Sequence, residues 1–291
     1  MSENAHKLVN AFSSAPLADH PSRWDALYAE AYHPWDRASP SLALSDLLSQ
    51  RSDLIPSSAS AFFTGSGSRR RPTALVPGCG LGHDVLLLAA RGYDVWGVDG
   101  SGKALEGAKR REEELKKREA SGELEEVFQV QGELGTERGD VHWVVADFFK
   151  DGWEKGLGAE GSGSFDLIFD YTFLCALPPS ARPLWSLRTT ALLAHLPTSR
   201  LICLEFPIGK PLDQSGPPWG LWPETYEALL SNPGEEIEYE DDGSGRPKEA
   251  CAVRPKHEAL HRLCLVKPAR THQAGTSEDG SVRDFISVWS R

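Results

Sequence analysis

Residues 74–84 read ALVPGCGLGHD, and the reading of that stretch decides the fold. An apolar run passes straight into a Gly-rich turn. A helical apolar pattern follows, from Val85 to Arg91, and Gly92 stops it. Strand, glycine turn and helix in that order form the setting in which backbone N–H groups meet a nucleotide-like ligand. Gly78, Gly80 and Gly82 permit the tight turn and let the backbone approach a ligand closely. The dinucleotide fingerprint GxGxxG is not completed, because after Gly78 and Gly80 its last position holds His83. That mismatch argues against a nicotinamide oxidoreductase. It favours a cofactor without a pyrophosphate, and S-adenosyl-methionine is one.

Working outward, Thr73–Val76 and Val95–Val98 read as the first two strands. Ser101 caps a helix that runs through Ala104, Leu105 and Ala108 into the charged stretch KRREEELKKREA. Val141–Val145, Phe165–Phe169 and Leu201–Phe206 supply three more strands, with helices over Pro178–Leu196 and Pro223–Leu230. Strands separated by helices pair in parallel through right-handed crossovers, so the expected class is α/β, with a doubly wound, mostly parallel sheet. Ile237–Tyr239 and Phe285–Trp289 bring the count to seven. No clear helix lies between those two, so one of them is expected to run antiparallel.

The segment between them, about 243–280, is rich in Gly, Pro and basic residues. It reads as a loop insertion with at most a local strand at Leu263–Val266, partly dispensable to the core. Residues 1–71 form an N-terminal segment and linker ahead of the domain at 72–291. This segment is broken at Pro21 and Pro34, and no sustained helical or strand pattern is evident in it. Stretches near 120–140 and 155–164 look like further loop insertions.

The chain has 291 residues, of which 40% are hydrophobic and 25% charged, so a core forms and wholesale disorder is excluded. A net charge of −11 repels phosphate backbones and anionic headgroups, which argues against nucleic-acid and membrane partners. Five cysteines without CxxC spacing indicate neither a disulfide framework nor a zinc site, no metal is expected, and a reducing cytoplasm fits. The longest apolar run, Val85 to Ala90, is far short of the roughly 20 residues that span a bilayer. Residues 1–22 resemble neither a secretory signal nor a transit peptide. A monomer is the expected state.

Acidic residues mark the strand ends. Asp99 closes the second strand 21 positions after Gly78, where a carboxylate meets ribose hydroxyls. Asp147 and Phe148 follow the third strand, where an adenine amino group and ring find an acceptor and an apolar face. Asp170 and Tyr171 come off the fourth strand at the same sheet edge. Cys79 and Cys175 lack a persuasive His partner and read as ordinary buried cysteines. His33, before Pro34, reads first as a loop histidine.

These pieces together resemble the thiopurine S-methyltransferase-like family of class I, Rossmann-like methyltransferases. The resemblance is closest to the thiol, thiocyanate and halide methyltransferase branch of plants and fungi. The matching motifs are PWD at 34–36, LVPGCGLGHDV at 75–85, GVDGS at 97–101 and FDLIFDYTFLCAL at 165–177. EFP at 205–207, GPPW at 216–219 and the closing VWSR complete them, in family order over most of the chain. The resemblance implies S-adenosyl-L-methionine as cofactor, and methyl transfer to a small thiol, sulfide, thiocyanate or halide. It places Gly78 and Gly80 at the cofactor loop, Asp99 at the ribose, Asp147 and Phe148 at the adenine, and Tyr171 beside the reacting centre. Tyr171 and Asp170 become the candidate catalytic groups, with His33 behind them. Trp24, Tyr28 and Trp35 fall in an N-terminal lid over the cofactor, Tyr28 where many plant members carry Trp. A catalytically silent scaffold that binds the cofactor is the alternative.

Overall fold

A computed structural model describes residues 3–56, 62–63, 69–130, 137–154, 165–248 and 258–291. Ala74, Leu75 and Val76 are buried on both faces, which places their strand, β1 (Thr73–Pro77), at the middle of a sheet. The apolar runs predicted as strands recur as β2 (Asp94–Asp99), β3 (Val141–Val145), β4 (Leu167–Tyr171) and β5 (Arg200–Glu205). Two more complete the sheet, β6 (His261–Val266) and β7 (Phe285–Ser290). The seven strands lie in the order β3-β2-β1-β4-β5-β7-β6. The first five pair in parallel, while β7 pairs antiparallel with both β5 and β6. The strand order reverses between β1 and β4, and in such sheets the crevice at the carboxyl ends beside that reversal is where ligands bind.

The helices are α1 (Glu3–Phe12), α2 (His20–Ala29), α3 (Leu42–Gln50), α4 (His83–Ala90), α5 (Gly102–Ser121), α6 (Arg182–Leu192) and α7 (Pro223–Ser231). The apolar face of α4, including Val85, Leu87 and Leu88, closes the main core beneath the Gly-rich loop. Ser101 caps α5 as expected, its Oγ accepting from the Ala104 N–H at 3.0 Å.

Two expectations are corrected. Ile237–Tyr239 forms no strand; Tyr239 makes only an isolated bridge with Pro247. The seventh strand is β6, inside the stretch read as an insertion. The local strand expected at Leu263–Val266 is thus part of the main sheet; as an exposed edge strand, with Leu263 44% and Val266 37% accessible, it lacks the apolar alternation of a sheet member. Replacing all of 243–280 would therefore remove part of the sheet and the buried Leu260, whose N–H donates to the Leu230 carbonyl.

The second correction concerns the N-terminus, which folds as three helices. Each is ten residues or shorter, and α1 and α2 cover a cluster of their own, so the pattern of a sheet-packed helix is absent. Leu8, Phe12 and Leu27 pack with Trp219, and Trp24, Tyr32 and Trp35 lean on that cluster. Only α3 enters the main core, through Leu44 and Leu47. Asp25 fastens α2 to the start of α5: its Oδ1 accepts from Ser101 Oγ at 2.8 Å and from the Lys103 N–H at 2.9 Å.

Candidate active site

A cavity of about 450 Å³ opens at the carboxyl ends of β1, β2, β3 and β4. The sheet edge forms its floor, and α2 with the turn at residues 34–39 forms its cover. His272, from the loop between β6 and β7, also lines it.

At the loop end, the Asp99 carboxylate is held by two backbone donors. Oδ2 accepts from the Gly80 N–H at 2.9 Å and Oδ1 from the Ser101 N–H at 2.8 Å. Burial raises the Asp99 pKa, and these two hydrogen bonds oppose the rise. A carboxylate has about four lone-pair sites, so acceptor capacity remains on both oxygens. Gly78 and Gly80 both have left-handed backbone, with φ of 57° and 54°. The loop needs glycine for a second reason, since a Cβ on Gly80 would lie 2.8 Å from Tyr28 Oη and one on Gly78 only 2.3 Å from the Phe173 ring.

Tyr28 Oη accepts a hydrogen bond from Trp35 Nε1 at 2.9 Å, and the two rings meet edge to face. Trp24 meets Trp35 in the same way, with centroids 4.8 Å apart. Trp24, Tyr28 and Trp35 thus form one aromatic wall of the cavity. Burial raises the Tyr28 phenol pKa, so it stays protonated. Across the floor, Asp147 and Phe148 line the far end of β3. Asp147 Oδ1 accepts from the Phe149 N–H at 3.0 Å, and Phe148 packs edge to face on Phe173.

Asp36 of the PWD motif and His83 and Asp84 of the Gly-rich stretch also line the cavity. His83 Nε2 lies 2.8 Å from Asp36 Oδ1, tying the N-terminal turn to the Gly-rich loop. Asp84 Oδ1 accepts from the Ser41 N–H at 2.7 Å, and burial pushes its pKa up to about 6. The clue was present: an acid inside the glycine motif, at the first turn of α4, faces the ligand side of the loop.

At the opposite end, Tyr171 stacks on His272 with centroids 5.6 Å apart, and Tyr171 Oη lies 3.2 Å from His272 Nδ1. The Arg37 charge acts on the same hydroxyl. Burial raises the Tyr171 pKa, with Arg37 opposing it. Thr172, the next residue, is left-handed at φ 62°, strain of about 1–3 kcal/mol for a β-branched residue at the rim of the site.

Asp170 is a correction. Alternation along β4 turns it away from the cavity, where Trp185 Nε1 donates to Oδ2 at 2.8 Å and the Leu174 N–H donates to Oδ1 at 3.2 Å. Burial lifts its pKa to about 6, but it has no path to a substrate in the cavity. His33 stacks on Tyr28 and does not line the cavity. Cys79 and Cys175 do line it, yet burial pushes both thiols up, which makes them poor nucleophiles. Cys79, Cys175, Cys203 and Cys264 are free; Cys251 lies outside the described residues. Among the described residues no cluster has the makings of a metal site, and no helix is long and apolar enough to cross a membrane.

The thiopurine S-methyltransferase family matches the chain over residues 20–263. The chain belongs to that family. It is a methyltransferase, and S-adenosyl-L-methionine is its methyl donor. A probable thiol methyltransferase 2 of Arabidopsis thaliana is 31% identical over 234 residues, 78% of this chain and 82% of that protein. A thiocyanate methyltransferase 1 of Brassica oleracea is 32% identical over 209 residues, 71% of this chain and 70% of that protein. Among solved structures, one from work on the conversion of a disulfide into a thioacetal in echinomycin biosynthesis superimposes with a TM-score of 0.50. It is 17% identical, covers 94% of this chain and 92% of its own, and speaks for the fold alone.

The residues present fit the donor. The spare lone pairs of Asp99 suit a diol, Asp147 and Phe148 suit an amino-bearing ring, and the carboxylates of Asp84 and Asp36 suit a cation near the aromatic wall.

Proposed function

We propose that this methyltransferase moves a methyl group to a small sulfur nucleophile or soft anion: a thiol, sulfide, thiocyanate or halide. The observation that carries the reading is the acceptor end of the cavity, which holds no strong base. Asp170 faces away, and burial keeps Tyr171 and Cys175 protonated. Among the described residues, the base in contact with Tyr171 is His272, whose basicity is lowered first by burial. Both its ring nitrogens are engaged, Nδ1 with Tyr171 Oη and Nε2 with Ser39 Oγ at 3.3 Å. Such a site does little for an alcohol or phenol, whose proton must be removed. It suits a halide or thiocyanate, which has none to lose, and a thiol, already partly ionised near its pKa of about 8.5. The names of the plant relatives point the same way.

The donor supplies an already activated methyl group, which leaves alignment and water exclusion to the protein. Holding two reactants in register contributes roughly 7–11 kcal/mol. Trp24, Tyr28 and Trp35 close the cavity from above; their faces hold a sulfonium at about 0.5–2 kcal/mol each by cation–π attraction. Tyr171 positions the acceptor, and Gly78, Gly80, Asp99, Asp147 and Phe148 hold the donor. In this reading the protein acts as a monomer in the cytoplasm on a small molecule, with neither nucleic acid nor membrane as partner.

The test is S-adenosyl-homocysteine release across an acceptor panel of sulfide, alkyl and aryl thiols, a thiopurine, thiocyanate, iodide, phenols and amines. Turnover confined to the sulfur and halide members is expected. Turnover only on phenols or amines would refute the reading.

A further inference from the structure

Arg37 stands apart from the other cations around the acceptor end. Arg182 is fully buried and occupied, its guanidinium donating to Tyr239 Oη at 2.8 Å and to the Gly220 carbonyl at 2.7 Å. Lys210 donates to the Ser215 and Pro218 carbonyls. Arg37 forms no ion pair with any described carboxylate. Its Nε is buried without a partner, and its guanidinium carbon sits 5.7 Å from the centre of the Phe206 ring, itself part of the cavity wall. Asp284 feels the Arg37 charge at a distance beyond an ion pair; its Oδ2 accepts from Thr271 Oγ1 at 2.7 Å and its Oδ1 is buried without a hydrogen-bond partner.

The backbone explains how this cation arrives there. The Asp36 N–H donates to the His33 carbonyl at 2.9 Å, closing a turn, and Ala38 is left-handed at φ 57°. That turn sends the Asp36 side chain to His83 and the Arg37 guanidinium over Phe206, where its charge acts on Tyr171. Adjacent residues thus deliver opposite charges to one cavity. The carboxylates of Asp36, Asp84 and Asp99 line it together with Arg37, Tyr171 and His272, and the Arg37 charge acts on both Tyr171 and His272.

A half-buried guanidinium with a free donor, lining an apolar wall, costs desolvation that an anion offsets. We propose that Arg37, with the Tyr171 hydroxyl, forms an anion-binding subsite that takes the methyl acceptor in its ionised form. His272, through Nδ1 and Ser39, fixes the Tyr171 hydroxyl as a positioning residue. The acceptor class is then narrower than small nucleophiles: monovalent anions such as thiolates and thiocyanate, which Arg37 draws from solution and strips of water against Phe206. This rests on the cavity being the methyl-transfer site, but it concerns binding and not turnover.

The experiment is calorimetric titration of potassium thiocyanate into protein saturated with S-adenosyl-homocysteine, for the wild type, Arg37→Gln and Arg37→Lys. Saturable binding to the wild type is expected, weakened tenfold or more in Arg37→Gln and largely restored in Arg37→Lys. S-adenosyl-homocysteine affinity should stay within about twofold of the wild type in both variants, and both should melt cooperatively, which shows that the fold is kept. Equal thiocyanate affinity in the wild type and Arg37→Gln, or no saturable binding to the wild type, would overturn the subsite. If binding depends on Arg37 while no sulfur acceptor is methylated, the subsite stands and the proposed transfer reaction falls.

Discussion

The loop end of the cavity is assembled from neighbours in sequence: Gly80 and Asp99, 19 residues apart, meet through adjacent parallel strands. The Tyr171 end joins residues from three distant places, with His272 reaching Tyr171 across 101 positions and Arg37 arriving from the N-terminal turn. One end is built on the sheet itself, with Asp99 anchored on backbone hydrogen bonds at a strand end, and is tied to the N-terminal segment through His83–Asp36 and Asp84–Ser41. The other is held by side chains on two connecting segments. A fold of this kind keeps its donor chemistry on the rigid part and leaves acceptor choice to the parts that vary without disturbing the core. It follows that damage to the two ends should be separable.

The largest effect should come from removing the cover. Deleting residues 1–36 takes away the aromatic wall and the cluster around Leu8 and Phe12, but leaves the main core, whose members begin at Ala43. A cooperatively melting protein is expected, with turnover reduced at least about a hundredfold because alignment is lost. Full-length rates in the truncated protein would break the two-ended picture at once.

Next in size is Asp99→Ala, which should weaken binding of S-adenosyl-homocysteine by about 1.5–3 kcal/mol, the scale of hydrogen bonds to a charged group. Acceptor KM should move little. Unchanged cofactor affinity in calorimetry would remove Asp99 from the donor end.

A smaller, pH-dependent effect belongs to Asp84. Burial raises its pKa from the usual 3.8 to about 6, so the folded protein holds this proton more tightly than the unfolded chain does. The stability contributed by this group therefore falls as pH rises between those values, and is level above them. A bound cation favours the ionised form, so donor affinity should decline several-fold as pH drops through about 6. Asp84→Asn should flatten that dependence; an unaltered pH profile in the variant would assign the titration elsewhere.

The smallest change expected is Tyr28→Phe, which keeps the aromatic face and removes the acceptor for Trp35 Nε1, a loss of about 1 kcal/mol in donor affinity. Trp35→Ala should cost more, since it opens the wall that Trp24 and Tyr28 lean on. Equal losses would mean that the hydroxyl and not the ring matters.

This asymmetry also explains what was legible in the sequence. The Gly-rich loop, Asp99, Asp147, Phe148 and Tyr171 were readable because strand ends and helix starts have strong local patterns, and position along a strand implies position at the sheet edge. Asp170 misled for a related reason: both residues end the same strand, and only the pleat, set by pairing with β5, decides which one faces the cavity. Arg37 and His272 carried no local signal, since a loop Arg and a loop His look alike wherever the chain later takes them. Likewise β6 was legible only as a local strand, and its membership of the sheet follows from its pairing with β7, because an exposed edge strand shows little alternation. Two of the N-terminal helices, α1 and α2, escaped because they pack on each other and on Trp219, away from the sheet.

The most direct test of the account is product analysis with one acceptor that carries both kinds of nucleophile, 4-mercaptophenol. With no strong base beside Tyr171, and with Arg37 favouring an ionised acceptor, the methyl group should appear on sulfur alone, at a rate that rises with pH as the thiol ionises. Formation of the O-methyl ether would contradict the account, because the cavity would then be activating a hydroxyl that none of its residues is placed to deprotonate.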